Sequence, residues 1–211
     1  MGLPLYDRTN MVLDQGEEGA CTGFGLAAVV NYLKWESWYV RQNGKGKAPA
    51  KVSTRMLYQN ARLYDEWKGE DYEGSSCRGA IKGFHRHGVC GEKLWPYLKK
   101  PGRPKDGWRD EAAQTPLGAY YRIDAGNIVD MQAAIHEVHA IYASALAHDG
   151  WDRLENCKSL DDAIIPLPKK KDRGGHAFAL VGYTPDGFIL QNSWGPGWGY
   201  HGLPCSPMTI G

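Results

Sequence analysis

Residues Asp14-Gln15-Gly16-Glu17-Glu18-Gly19-Ala20-Cys21 form a glycine-rich loop that runs straight into an apolar, helix-forming stretch, Ala27-Ala28-Val29-Val30-Asn31-Tyr32-Leu33-Lys34-Trp35. This junction constrains the chain more than any other stretch. Small residues at 23, 25, 27 and 28 let a second element approach the helix closely, and Cys21 falls in its first turn. Unpaired N–H groups and the positive end of the helix dipole favour a thiolate there, so Cys21 is expected to carry a lowered pKa and to act as a nucleophile. A small buried cysteine is the plain alternative. A base, an orienting group and an oxyanion donor elsewhere in the chain would decide between the two.

With 211 residues, 42% of them hydrophobic, the chain can fold as one large domain or two lobes sharing an interface. Its 25 Lys and Arg balance 24 Asp and Glu, which gives no basic excess for nucleic acid or an anionic membrane. No basic-then-apolar leader opens the chain, and no apolar run reaches bilayer-spanning length. Five cysteines (21, 77, 90, 157 and 205) are too few for a disulfide scaffold and fit a reducing cytoplasm. Delivery outside the cell as an effector stays open, and would permit a Cys77 to Cys90 bridge.

Residues 43–50 are predicted as a loop closing the first helix. A second helix is expected from the N-cap Ser53 to a break at Gly69, and a third from Arg78 to His87, stopped by Gly88. Residues 89–97 read as a short extended piece, and 99–110 as loop and passage between lobes. The second half is expected to be mainly sheet. Its elements are a strand over 119–123, a helix over 128–136, a strand over 140–147, a polar connection over 152–175 containing Lys169-Lys170-Lys171, and a hairpin turning at 184–187.

Most of the seven histidines have ordinary explanations. His85 and His87 lie on a polar helix, His136 and His139 flank a helix end, His201 lies in a terminal turn, and His148, at a strand end, is either near the cleft or capping a turn. Cys77, His85, His87 and Cys90 lack the paired short spacing of a structural zinc site, and no metal or cofactor is expected. His176 differs. It opens the first hairpin strand after Gly174-Gly175, while Asn192 closes the second, so the fold-back sets an amide beside an imidazole. Trp194 could shield that bond from water.

Gln15 six residues before Cys21, Gly175-His176-Ala177, and Asn192-Ser193-Trp194-Gly195 followed by Gly197-Trp198-Gly199 closely resemble the papain-like cysteine peptidases. Gly74-Ser75-Ser76-Cys77, Ala80, Gly88-Val89, Glu92 and Trp95-Pro96-Tyr97 extend the resemblance, which runs from about Leu5 to Gly202. It implies an α+β fold of two lobes with the active site in the cleft between them. Residues 1–116 would form a mainly helical lobe carrying the nucleophile. Residues 117–211 would form a lobe of antiparallel sheet or barrel carrying His and Asn. Cys21 would be the nucleophile of a cysteine endopeptidase, His176 its base and acid, Asn192 the ring-orienting residue, and Gln15 with the Cys21 N–H the oxyanion donors. Gly74 and Ser75 would bind the substrate backbone, with Ser75 replacing a family glycine. The partner implied is a peptide or protein substrate, with an inhibitor or immunity protein as a further class.

The chain also departs from the family. It has Gly19-Ala20-Cys21 followed by Thr22-Gly23, so the first family disulfide cannot form and no tryptophan follows the nucleophile, as in a bacterial-type branch. No pro-segment is visible before Gln15. The tail Leu203-Pro204-Cys205-Ser206-Pro207-Met208-Thr209-Ile210-Gly211 replaces an apolar strand, which suggests a truncated C-terminus and an exposed hairpin edge. A catalytically impaired pseudopeptidase or peptide-binding module, and an amidase or acyl transferase, are the competing readings.

Overall fold

The computed structural model describes residues 3–67, 72–154, 157–169 and 174–207. The expected break at Gly69, Lys170 and Lys171 of the lysine run, and the last four residues lie outside them. A 22-residue helix α2 (Cys21–Gln42) runs through the middle of the molecule and ends at Asn43, whose φ of 51° turns the chain out of the helix. Before it stands a short helix α1 (Leu3–Arg8) that no sequence signal announces. After it come α3 (Thr54–Leu63) and α4 (Cys77–His87). The Ser53 side chain accepts from the Met56 N–H and Ser76 from Gly79, which fixes both helix starts where serine at the N-cap places them. The Ser53 helix stops at Leu63, earlier than expected.

The sheet is antiparallel, in the order β1 (Ile141–Ala147), β2 (Gly174–Tyr183), β3 (Gly187–Gln191), β4 (Cys205–Pro207). The hairpin holds, with Ala179 opposite Gln191 and Tyr183 opposite Phe188 around a bulge at residues 180–182. Three expectations fail. Residues 119–123 form no strand, and the adjacent aromatics of that segment, Tyr120 and Tyr121, are exposed, so neither face is buried to drive pairing. The loop over 99–110 gives way at its end to a helix α5 (Trp108–Ala113) started by Gly107 at a φ of 81°. The hairpin edge is covered: Cys205 and Ser206 pair with Ile189 and Phe188, and the Ile165 N–H donates to the Cys205 carbonyl. Pro204 accepts from the Leu190 N–H and needs no donor of its own there, so the prolines are tolerated. The helix α6 (Ile128–Val138) lies where the sequence puts it.

Alternation along β2 buries both faces. Phe178 and Leu180 enter a core with Trp151, Trp198, Met131 and Ile135, whereas Ala179 and Val181 face Tyr6, Tyr32, Trp35 and Leu203. A third core joins Leu26 and Ala27 of α2 to Met56, Leu57, Ala80 and Phe84. Helix α2 therefore contributes to a helical core on one side and a sheet core on the other. Two glycines permit the contact. A Cβ on Gly23 would stand 2.6 Å from the Tyr58 Cβ of α3, and one on Gly25 would stand 2.8 Å from the Phe178 nitrogen of β2.

Gly25→Ala should gain about 1 kcal/mol of helix propensity, yet it forces backbone apart from backbone, a strain of roughly 1–3 kcal/mol. Net destabilisation is expected, read as a lower midpoint in urea unfolding. An unchanged or raised midpoint would show that α2 and β2 are not in fixed contact.

Candidate active site

Ala20 precedes α2 and offers no capping side chain. The N–H groups of Cys21 and Thr22 are thus left for the cysteine sulfur, and the Ala177 N–H from the facing strand joins them. These donors pull the thiol pKa down, but burial outweighs them and pushes it up. The lowered value expected from helix position alone is not found, because the same packing that brings β2 to the helix end also removes water. Burial likewise pushes the His176 imidazole down, against a hydrogen bond to Asn192 that raises it. Either charge formed alone would be poorly solvated.

His176 and Asn192 are not directly opposed in the ladder, since pairing ends at Ala179 and Gln191. The chain leaves β3 after Gln191, and the Asn192 side chain reaches diagonally to the ring, with His176 Nε2 2.6 Å from Asn192 Oδ1. That oxygen also accepts the Ser193 N–H at 2.8 Å. An atom accepting a backbone N–H is the amide oxygen, so Nε2 must carry a proton to donate to it, and Nδ1 is left as the lone-pair nitrogen. Asn192 Nδ2 is buried without a hydrogen-bond partner among the described residues.

Aromatic rings enclose the histidine. The Trp194 centroid lies 4.8 Å from it and that of Trp151 5.6 Å, with Trp151 stacked on Trp198. The Trp198 Nε1–H donates to the Trp151 carbonyl at 2.9 Å, locking the pair. Trp151 was not singled out from sequence as a site residue, although it lies three residues beyond His148. Its only signal was an aromatic after a turn glycine.

Gln15 is held at four atoms. Its N–H donates to the Ser193 carbonyl at 2.9 Å, its Oε1 accepts from Ser193 Oγ at 2.7 Å, its Nε2 donates to the Glu18 carbonyl at 3.0 Å, and its own carbonyl accepts from the Tyr97 hydroxyl at 3.0 Å. An amide nitrogen has two hydrogens, so one remains for the cleft. Gln15, Cys21, His176 and Trp194 line one cleft of about 420 Å³, together with His148 and Asp152. Gly74 and Ser75 do not line that cavity. Ser75 Oγ lies 2.6 Å from Thr22 Oγ, next in sequence to Cys21, and Gly74, at a φ of 133°, faces the Tyr72 ring. All five cysteines are free thiols, Cys77 and Cys90 included. A larger hollow of about 600 Å³ lies along the other end of α2 beside Leu33, Trp38 and Arg41, and holds neither nucleophile nor base. Among the described residues no helix is long and apolar enough to cross a membrane, and no three of His, Cys, Asp and Glu gather as a metal site would require.

In Cys21→Ala the His176 ring keeps its burial and loses its thiol neighbour, so it should titrate below the usual value of about 6.5 in an NMR pH titration. An unfolded chain then binds a proton that the folded one refuses. Stability of this variant is accordingly complete above about pH 6.5 and falls as pH drops through that value. A midpoint above the usual value would show that burial does not govern the ring.

The family model described as papain family cysteine protease matches residues 7–204. An uncharacterised peptidase C1-like protein of Acanthamoeba polyphaga mimivirus is 28% identical over 201 residues, covering 90% of this chain, and the chain spans 62% of that relative's length. Xylellain, a cysteine protease from Xylella fastidiosa, superposes with a TM-score of 0.74 at 26% identity, over 93% of this chain and 76% of its own. The Carica candamarcensis cysteine protease solved in complex with E-64 superposes at 0.61 with 20% identity, over 96% of this chain and 86% of its own, a likeness of fold. With its helices on one side of Cys21 and its antiparallel sheet on the other, the chain belongs to the papain family of cysteine proteases.

Proposed function

We propose that the chain is a cysteine endopeptidase in which Cys21 attacks a peptide carbonyl and His176 moves the proton. The observation that carries this reading is the double acceptance at Asn192 Oδ1, which leaves His176 Nδ1 as a base on a ring lining the same cleft as the Cys21 thiol. Burial disfavours a lone charge on either group, so the two charges form together: the thiol proton passes to Nδ1 as sulfur bonds to the carbonyl carbon. The oxyanion is met by the Cys21 N–H and the spare Gln15 N–H. As the C–N bond breaks, the ring gives its proton to the leaving amine. Nδ1 then takes a proton from water, the hydroxide adds to the thioester, and the thiol leaves with that proton. Residues up to about 116 would carry the nucleophile and those beyond it the base, with substrate extended between them.

Labelling with an epoxysuccinyl reagent followed by peptide mass mapping tests the reading. Modification is expected at Cys21 alone among the five thiols, and Cys21→Ala or His176→Ala should lower peptide hydrolysis by about 10³-fold or more. Hydrolysis surviving Cys21→Ala would overturn the assignment. Labelling of Cys21 in a chain that cleaves no peptide but releases acyl groups from small amides would point to an amidase of the same fold.

A further inference from the structure

Arg55 has no side-chain exposure, an unusual state for an arginine in a helix start. Its guanidinium meets the Glu18 carboxylate as a fork, Nη1 to Oε1 and Nη2 to Oε2, both at 2.7 Å. Nη2 also donates to the Leu98 carbonyl at 3.3 Å, and the Tyr97 ring lies over the guanidinium at 4.3 Å. Arg55 hydrogen bonding holds the Glu18 carboxyl below its ordinary range.

Burying such a pair is seldom a gain in stability, since desolvation offsets the attraction and a well-packed apolar pair does as well. What the fork supplies is direction. Glu18 lies three residues before the nucleophile, and its carbonyl accepts both Gln15 Nε2 at 3.0 Å and the Ala20 N–H at 2.6 Å. Tyr97, stacked on the same guanidinium, donates its hydroxyl to the Gln15 carbonyl. The helical side of the molecule thereby grips the loop at Glu18 and at Gln15, while Ser193 grips Gln15 from the sheet side.

We propose that Arg55 and Glu18 are positioning residues that set the height of the Gln15 amide over the cleft, so that its free N–H meets the oxyanion. This rests on the peptidase reading above. The pair touches neither substrate nor sulfur and acts through the Glu18 carbonyl. Its loss should therefore spare the nucleophile and weaken only steps that build negative charge on oxygen.

Two variants test it, Glu18→Gln and Arg55→Lys, each checked for folding by its thermal midpoint. Iodoacetamide alkylation of Cys21 needs a competent thiolate but forms no oxyanion, whereas hydrolysis of a peptide anilide needs both. Alkylation is expected within about twofold of the parent and KM little changed, with kcat lower by roughly tenfold, less than the ~10²–10³ of removing a donor outright. Unchanged kcat in either folded variant, or alkylation falling in step with kcat, overturns the proposal. Should Arg55→Lys fail to fold, the nearly isosteric Glu18→Gln carries the test. A parent that alkylates yet cleaves no amide removes the peptidase reading itself, a result distinct from a parent that cleaves as well as its variants.

Discussion

The approach of one helix to one strand governs this molecule. Helix α2 meets β2 closely enough that a methyl group on Gly25 would collide with the Phe178 nitrogen. The same approach brings the Ala177 N–H to the sulfur of Cys21, at the helix end. His176 is the neighbouring residue on that strand. Were the two elements held apart by even one side chain, thiol and imidazole would no longer share a cavity, and the donors at the helix start would face water. Close packing transmits such a displacement because the interior has no slack in which to absorb it.

That contact also explains the electrostatics. A helix start in water is a good place for a thiolate, but here the strand that carries His176 covers the helix start and excludes solvent. Burial then opposes charge on both partners, and the rings of Trp151 and Trp194 deepen the effect around His176. Burial therefore disfavours a charge on either group alone. Opposite charges formed side by side attract one another, which works against the burial penalty that each would meet alone.

Residues whose side-chain type is demanded by chemistry were readable from the chain. Cys21 starts α2 after its glycine turn, His176 lies near the start of β2, and the serine cap at 53 marks its helix, as their types and order suggest, whereas Asn192 lies one residue past the end of β3 instead of closing it. Elements whose cause is tertiary were not readable. Residues 119–123 have strand-forming side chains but no strand beside them, so propensity had nothing to pair with. Arg55 in a helical first turn looks like a solvated charge, and Glu18 in a glycine loop looks like another. Only the fold brings them together across 37 positions of sequence. The prolines of the tail argued against a strand, yet Pro204 contributes only a carbonyl and Pro207 stands at the strand's last position, where the missing N–H is least costly.

The N-terminal clasp bears on how the molecule is made. The Tyr6 hydroxyl donates to the Gln191 side chain, whose Nε2 in turn donates to the Met11 carbonyl at 3.1 Å, and Asp7 pairs with His201 at 2.6 Å. Gln191 precedes Asn192, so the segment whose amide meets His176 is anchored to Tyr6 and Met11, 180 or more positions away. Closing a loop of that size is slow and comes late in folding. A chain emerging from the ribosome can thus assemble α2 and its thiol while lacking the imidazole partner. The cleft becomes complete only after the segments carrying Tyr6 and Gln191 have met. Synthesis itself then imposes a delay between making the Cys21 thiol and bringing His176 into the same cleft.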